Sequence, residues 1–295
     1  MSETGLAPRS DNQRAMEQDA FIEIDEFRRI LADPGLRIVD ARSMPHGARV
    51  AAETGEEQYA AGHLPGAIQL DYADQLADPA TPHATRVAPP ETFARVLAER
   101  GIGDAARIVA YDAGNTPYAA RFLWMVRYYG HDDVRVLAGG LPAWVASGGE
   151  LTTDVPSFPA QTFTPRVQPA LRATRDEVLA VAEGRSGAQL LETQRDSTYA
   201  LREEDIAGAQ RLSGSLLLED ERGGRLADRA TVDRLVDGLG LDRTKRTIVS
   251  CGSGVSASGA YVALKANGFS DVAVYDGSWL EWTHHGLPTV PKPRR

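Results

Sequence analysis

The chain carries one pattern twice, and this constrains its fold more than any single residue does. Gly101-Ile102 leading into Ile108-Val109-Ala110-Tyr111-Asp112 parallels Gly240-Leu241 leading into Thr247-Ile248-Val249-Ser250-Cys251, an offset of 139 residues (251 − 112). A helical stretch from Arg121 to His131, ending at Gly130, parallels a helix ending at Gly268. Val134-Arg135-Val136-Leu137 with Gly139 and Trp144 parallels Val272-Ala273-Val274-Tyr275 with Gly277 and Trp282, an offset of 138 (282 − 144). Upstream, Leu36 to Arg42 pairs with Gln189-Leu190-Leu191-Glu192, and Gly62-His63-Leu64-Pro65-Gly66-Ala67 pairs with Gln210-Arg211-Leu212-Ser213-Gly214-Ser215. Each copy alternates short β-rich runs with helical runs such as Pro90 to Arg100 and Ala230 to Leu239. Such alternation predicts two α/β domains, each on a mainly parallel sheet flanked by helices, and 295 residues suffice for both. The expected division is a disordered leader (1–18), a first domain (19–150), a proline-rich linker (151–170) and a second domain (171–290). Pro156, Pro159, Pro165 and Pro169 make that linker an extended, stiff tether that wraps one domain onto the other.

The copies differ where chemistry is expected, at the C-terminal end of a central strand. The first has Asp112 and the second has Cys251, the only cysteine in the chain. Thr247-Ile248-Val249 reads as a buried strand and Ala257 to Ala266 as a helix, with a glycine-rich turn between them. Backbone N–H groups converge at such a turn, and the helix dipole adds to them. A thiol there is expected to have a lowered pKa and to act as a nucleophile. The alternative is a small buried core residue. A cysteine phosphatase also needs an arginine six positions on to grip phosphate. That position is Ala257, and Gly252 to Ser256 contain no Lys or Arg. A neutral cradle suits a smaller anion carried on the cysteine itself, such as a persulfide.

The loop Cys251-Gly252-Ser253-Gly254-Val255-Ser256, with Tyr275-Asp276-Gly277-Ser278-Trp279-Leu280-Glu281-Trp282, resembles the two-domain sulfurtransferases of the rhodanese superfamily. The resemblance spans roughly Asp19 to Trp282, and the loop is similar to the 3-mercaptopyruvate type; the thiosulfate type carries basic residues within it. It implies two tandem rhodanese-like domains, the first a catalytically silent copy that walls the cleft and positions substrate. Cys251 is then the sulfur carrier, and Gly252, Gly254, Val255, Ser256 and Ala257 hold the persulfide. Ser253 is expected to relay a proton together with a histidine matched by His63. The aspartate that precedes this histidine in the family has no match, which leaves Glu53, Glu56 and Glu57 as substitutes. Two family arginines bind the anionic substrate. Thr198 stands where the first is expected, so Arg195, Arg202 and Arg211 are the candidates, each equally readable as a surface charge. The expected reaction moves sulfur from a small anionic donor, 3-mercaptopyruvate, to cyanide or a thiol acceptor, such as a thioredoxin-like protein or a low-molecular-weight thiol. The alternatives are a thiosulfate:cyanide sulfurtransferase and a non-enzymatic persulfide carrier or binding module.

The remaining composition narrows the partners. A formal charge of −9 argues against nucleic acid or an anionic membrane as the main partner. No window approaches the roughly 18 apolar residues of a membrane span, and Met1 to Gln18 lack the apolar core of a secretory signal. One cysteine allows no internal disulfide, and a reduced reactive thiol fits the cytoplasm. The six histidines are scattered; His284 and His285 adjoin but do not share a helix face, so neither a metal nor an organic cofactor is expected. Trp279 and Trp282 read as core or rim aromatics, with Trp279 also able to line the cleft; His46 and His83 receive no role.

Overall fold

A computed structural model describes residues 20–43, 54–81, 86–114, 117–217 and 225–292. The leader (1–18), His46, Glu53 and His83 lie outside them. The first half runs β1 (Phe21–Ile22), α1 (Ile24–Ile30), β2 (Leu36–Asp40), α2 (Gly55–Ala61), β3 (Ala67–Gln69), α3 (Pro90–Glu99), β4 (Arg107–Tyr111), α4 (Pro117–Tyr128), β5 (Val134–Leu137) and α5 (Gly140–Ala146). The second runs β6 (Arg172–Ala173), α6 (Arg175–Ala182), β7 (Gln189–Glu192), α7 (Asp196–Tyr199), β8 (Glu204–Ile206), β9 (Ala209–Arg211), α8 (Arg229–Gly238), β10 (Thr247–Ser250), α9 (Val255–Ala266), β11 (Val272–Tyr275), α10 (Ser278–His284) and β12 (Thr289–Pro291).

Both halves form five-stranded, wholly parallel sheets of matching order, β1-β5-β4-β2-β3 and β6-β11-β10-β7-β9. Buried, β-branched runs such as Thr247-Ile248-Val249 suit central strands covered by helices on both faces. In each copy the central strand pair ends beside the chemistry-bearing position. Asp40 pairs with Tyr111, ahead of Asp112, and Glu192 pairs with Ser250, ahead of Cys251. β12 folds back antiparallel onto β8.

The helix expected from Arg121 begins four residues earlier, at Pro117. Proline suits a first turn, where its missing N–H costs nothing, and the Asp112 carboxylate accepts the N–H groups of Tyr118 and Ala119. Helices α4 and α9 are buried on nearly every face because they pack on each other between the domains. One apolar cluster therefore runs through both halves, from Ile108 and Leu123 to Val262 and Leu264. Smaller clusters, around Trp144 and Trp282, fill the opposite faces of the two sheets. A buried ion pair, Arg121 Nη2 to Asp276 Oδ1 at 2.5 Å, crosses the interface.

The linker is tied down along its length. The Asp104 N–H donates to the Thr162 carbonyl, and the Arg166 and Gln168 N–H groups donate to the Tyr129 and Tyr128 carbonyls. It runs so close that a Cβ at Gly101 would collide with Phe158 Cβ. The prolines thus strap the linker along the first domain, and it does not act as a free hinge.

Candidate active site

Cys251 follows the last residue of β10, and the chain turns at Gly254 (φ +83°) to start α9. This turn aims the N–H groups of Ser253, Gly254 and Ala257 at the sulfur. The start of α10 clamps the loop from outside, with the Trp279 N–H on the Cys251 carbonyl (3.0 Å) and the Leu280 N–H on the Gly252 carbonyl (3.1 Å). The Cys251 N–H donates to Ser278 Oγ, which donates to the Tyr275 carbonyl. Ser278 has φ +50°, the only positive φ on a non-glycine among the described residues. That conformation costs about 1–2 kcal/mol, and the hydroxyl bridge onto Cys251 offsets it. The closing segment of the motif therefore works by holding the cysteine loop in place.

The expected lowering of the thiol pKa is not what this environment produces. Cys251 is only 2% exposed, and burial pushes its thiol up. The nearby Glu192 charge adds to this, while the three N–H groups pull the other way without prevailing. The sulfur is enclosed yet polar on one side: donors face it from the loop, and Glu192 and Tyr72 stand within electrostatic reach.

Glu192 ends β7 fully buried, and burial pushes its carboxyl up against the opposing pull of Arg202. Arg202 Nη2 lies 2.8 Å from Glu192 Oε2, an ion pair buried on both sides. Its guanidinium is sandwiched between Tyr199 and Trp279, 4.8 and 4.5 Å from the ring centres. Of the three candidate arginines, this one is closest in chemistry to an anion clamp beside the loop. Arg211 instead ties down the chain after β7: it donates to the carbonyls of Glu192 and Gln194 and pairs with Asp196 at 2.7 Å. Arg195 is half-buried, and its charge acts on Tyr118, so it faces the first domain. The Thr198 hydroxyl donates to the Arg195 carbonyl. Of the rest of the loop, Val255 and Ala257 are buried, Gly252 has the Gln194 amide against it, and Ser256 is half-buried.

His63 does not join the sulfur. It is fully buried, with its ring stacked on Tyr59 at 3.7 Å. Nδ1 lies 2.8 Å from the Tyr59 carbonyl and Nε2 3.1 Å from the Asp154 carbonyl. Together with its backbone bridge to Thr152, it pins the linker to the first domain. The relay expected around it is not assembled: Glu57 caps α2 through the Thr54 N–H, and Glu56 is exposed. What the first domain does bring is Tyr72 and Tyr118, stacked at 5.6 Å. Tyr118 is pushed up to about 12, by burial first and then by Asp112, with Arg195 opposing. Nothing in the sequence near Cys251 signals these two residues, because they arrive through domain packing.

The first-domain counterpart is built alike. The Asp112 carboxylate accepts the N–H groups of Gly114 (2.9 Å), Tyr118 (3.2 Å) and Ala119 (3.1 Å). The Leu141 N–H takes the Asp112 carbonyl as Trp279 takes that of Cys251. Among the described residues no group of three His, Cys, Asp or Glu could hold a metal ion.

The rhodanese-like domain model matches residues 23–147 and again 176–285. The chain is 30% identical to the 3-mercaptopyruvate sulfurtransferase of Escherichia coli (strain K12) over 278 residues, covering 92% of this chain and 98% of that protein. It is 31% identical to the thiosulfate sulfurtransferase of Bos taurus over 266 residues, covering 86% and 87%. The crystal structure of SseA from Escherichia coli, titled as a 3-mercaptopyruvate sulfotransferase with the rhodanese fold, superposes with a TM-score of 0.79 at 30% identity, covering 88% of this chain and 98% of that one.

Proposed function

Because this chain belongs to the rhodanese family, and its relatives over nearly full length are sulfurtransferases, we propose that it moves sulfur through a persulfide on Cys251, with 3-mercaptopyruvate as donor. One observation carries the reading: three N–H groups converge on the only cysteine, in a loop that offers no cation to a phosphate. Cys251, its thiol pushed up by burial, gives up its proton as its sulfur attacks the donor sulfur. The carbon–sulfur bond breaks, its electron pair stays on carbon, and pyruvate leaves as an enolate that takes up a proton. Ser253, at the mouth of the loop, is the candidate to pass that proton. The N–H groups of Ser253, Gly254 and Ala257 then hold the persulfide as an oxyanion hole holds oxygen. A thiol or cyanide attacks the outer sulfur and returns the Cys251 thiolate, which makes the cycle ping-pong.

Arg202 is the residue to receive the donor carboxylate, with Arg195 turned toward Tyr118 of the first domain and Arg211 bracing the chain just after β7. Because the sulfur is closed at rest, donor entry requires the packing around it, Tyr72 included, to move. The first domain acts as the silent copy, since a carboxylate cannot carry sulfur. The acceptor class is a thiol, a thioredoxin-like protein or a low-molecular-weight one. The setting is the cytoplasm, where a lone thiol stays reduced; no helix among the described residues is long and apolar enough to cross a membrane.

Thiosulfate stays in play as a second donor, because an arginine beside the loop serves either anion and the thiosulfate relative is about as similar as the mercaptopyruvate one. Steady-state turnover with each donor, on wild type and Cys251→Ser, separates the readings. Higher kcat/KM with 3-mercaptopyruvate, abolished in Cys251→Ser, is the expected result. Preference for thiosulfate shifts the donor. Equal inactivity of both proteins towards both donors removes the enzymatic reading, and a persulfide formed without turnover leaves a carrier.

A further inference from the structure

The geometry points to Arg121, carried by the cysteine-free domain, as a positioning residue for sulfur transfer: its buried guanidinium, anchored by Asp276, braces Gly254 and keeps the loop amides on the Cys251 sulfur. The inference rests on the reading in which Cys251 carries the sulfur, and it assigns the first domain a part in the chemistry beyond walling the cleft.

Arg121 lies on α4 with no exposed surface, 2.5 Å from Asp276 Oδ1. Asp276, directly after β11, is held from three sides: it also pairs with Arg172 at 3.5 Å and accepts the Val87 N–H at 2.9 Å. Burial pushes its carboxyl up, yet the two arginines and the N–H outweigh this and hold it below the ordinary carboxylate range. The cysteine loop rests on this pair. A Cβ at Gly254 would fall 2.7 Å from the Asp276 carbonyl oxygen and 3.1 Å from Arg121 Nη1. Gly254 is the turning residue of the loop, and its N–H is one of the three on the sulfur. The loop has no basic residue of its own, so the buried cation against it comes from the other domain.

The duplication supplies the control. The offset of 139 places Ala260 where α4 has Arg121, and the offset of 138 places Ala138 where the second domain has Asp276. The pair is thus built once, toward the loop that must hold a transient anion, and has no copy toward Asp112. A brace needed only to dock two similar domains has no reason to be confined to that side. Arg121 is too deeply buried to meet substrate, so its action runs through the loop.

Because Asp276 also accepts the Val87 N–H, Arg121→Met combined with Asp276→Asn, which removes both charges of the pair and keeps that acceptor, is the informative variant. Two readouts separate positioning from structure: the pH profile of Cys251 alkylation by iodoacetamide, and the split between kcat and KM. In the folded double variant the profile should move to higher pH, with alkylation at neutral pH slowed about tenfold for each unit. The kcat should fall by about the same factor, with KM little changed. A folded double variant with both readouts within twofold of wild type overturns the proposal. Should that variant not fold, Arg121→Lys carries the test. It keeps the charge but loses the fork, and should lower kcat several-fold with KM unchanged; an unchanged kcat is the contrary result. Alkylation needs no sulfur donor, so it tests Arg121 even in a protein that transfers no sulfur, and failure of that kind falls on the sulfur-transfer reading alone.

Discussion

Asp112 and Cys251 follow equivalent strands, precede equivalent helices and face equivalent amides, yet one is a carboxylate that caps a helix and the other a thiol that burial pushes up. Position for position, the Gly114 and Tyr118 N–H groups do for the Asp112 carboxylate what those of Ser253 and Ala257 do for the sulfur. Gly140 (φ +56°) turns the chain over Asp112, and Ser278 (φ +50°) turns it over Cys251 while adding a hydroxyl. The fold therefore supplies an anion seat twice. In the first domain the Asp112 side chain fills it, and the result is a structural cap on α4. In the second the Cys251 sulfur fills it, and under the proposed function the same amides are left to stabilise an anion formed during the reaction. Catalysis by preorganised dipoles requires this state of affairs.

Four substitutions break or sharpen the comparison. Cys251→Asp transplants the occupant of the first seat into the second. It should fold with a melting temperature near wild type and lose sulfur transfer by about three orders of magnitude or more, as removal of a nucleophile does; an unfolded product would mean the two seats are not equivalent. Asp112→Ala empties the first seat. Two buried N–H groups and one half-buried one lose their partner, which should cost about 2–4 kcal/mol in denaturant unfolding while turnover per folded molecule is retained. Arg202→Ala should lower kcat/KM for either anionic donor about 10- to 100-fold, the range for a lost charged hydrogen bond, with cyanide acceptor kinetics little changed. The smallest expected effect is on titration. Because Glu192 raises the Cys251 thiol, Glu192→Gln should move the alkylation profile to lower pH; in wild type the rate should keep rising with pH through and beyond the ordinary thiol range. A profile unmoved in Glu192→Gln would place that carboxylate out of reach of the sulfur.

The fold was legible because the repeat could be read against itself: two β-branched runs at a fixed offset define the central strands, and the alternation around them defines a parallel sheet. Cys251 was legible for a local reason, a single thiol between a strand and a glycine turn. The parts that stayed hidden all depend on packing between distant segments. The pKa shift reverses because the first domain helps bury the thiol, which no loop sequence records. His63 looked available because its motif says nothing of Asp154, 91 residues on, whose carbonyl faces its ring. Tyr72, Tyr118 and Arg121 belong to the first domain and come near the cysteine loop only when α4 meets α9. Among the arginines, type and position gave three candidates, and only side-chain placement separates one stacked on Trp279 (Arg202) from one that ties down the chain after β7 (Arg211).

Sulfur held on Cys251 is open to direct weighing. Brief incubation with 3-mercaptopyruvate, followed by mass analysis of the intact chain and its Cys251 peptide, should show a gain of about 32 Da (one sulfur atom) on wild type and none on Cys251→Asp. An unmodified Cys251 after exposure to both 3-mercaptopyruvate and thiosulfate, in protein whose thiol iodoacetamide can still reach, would contradict the account.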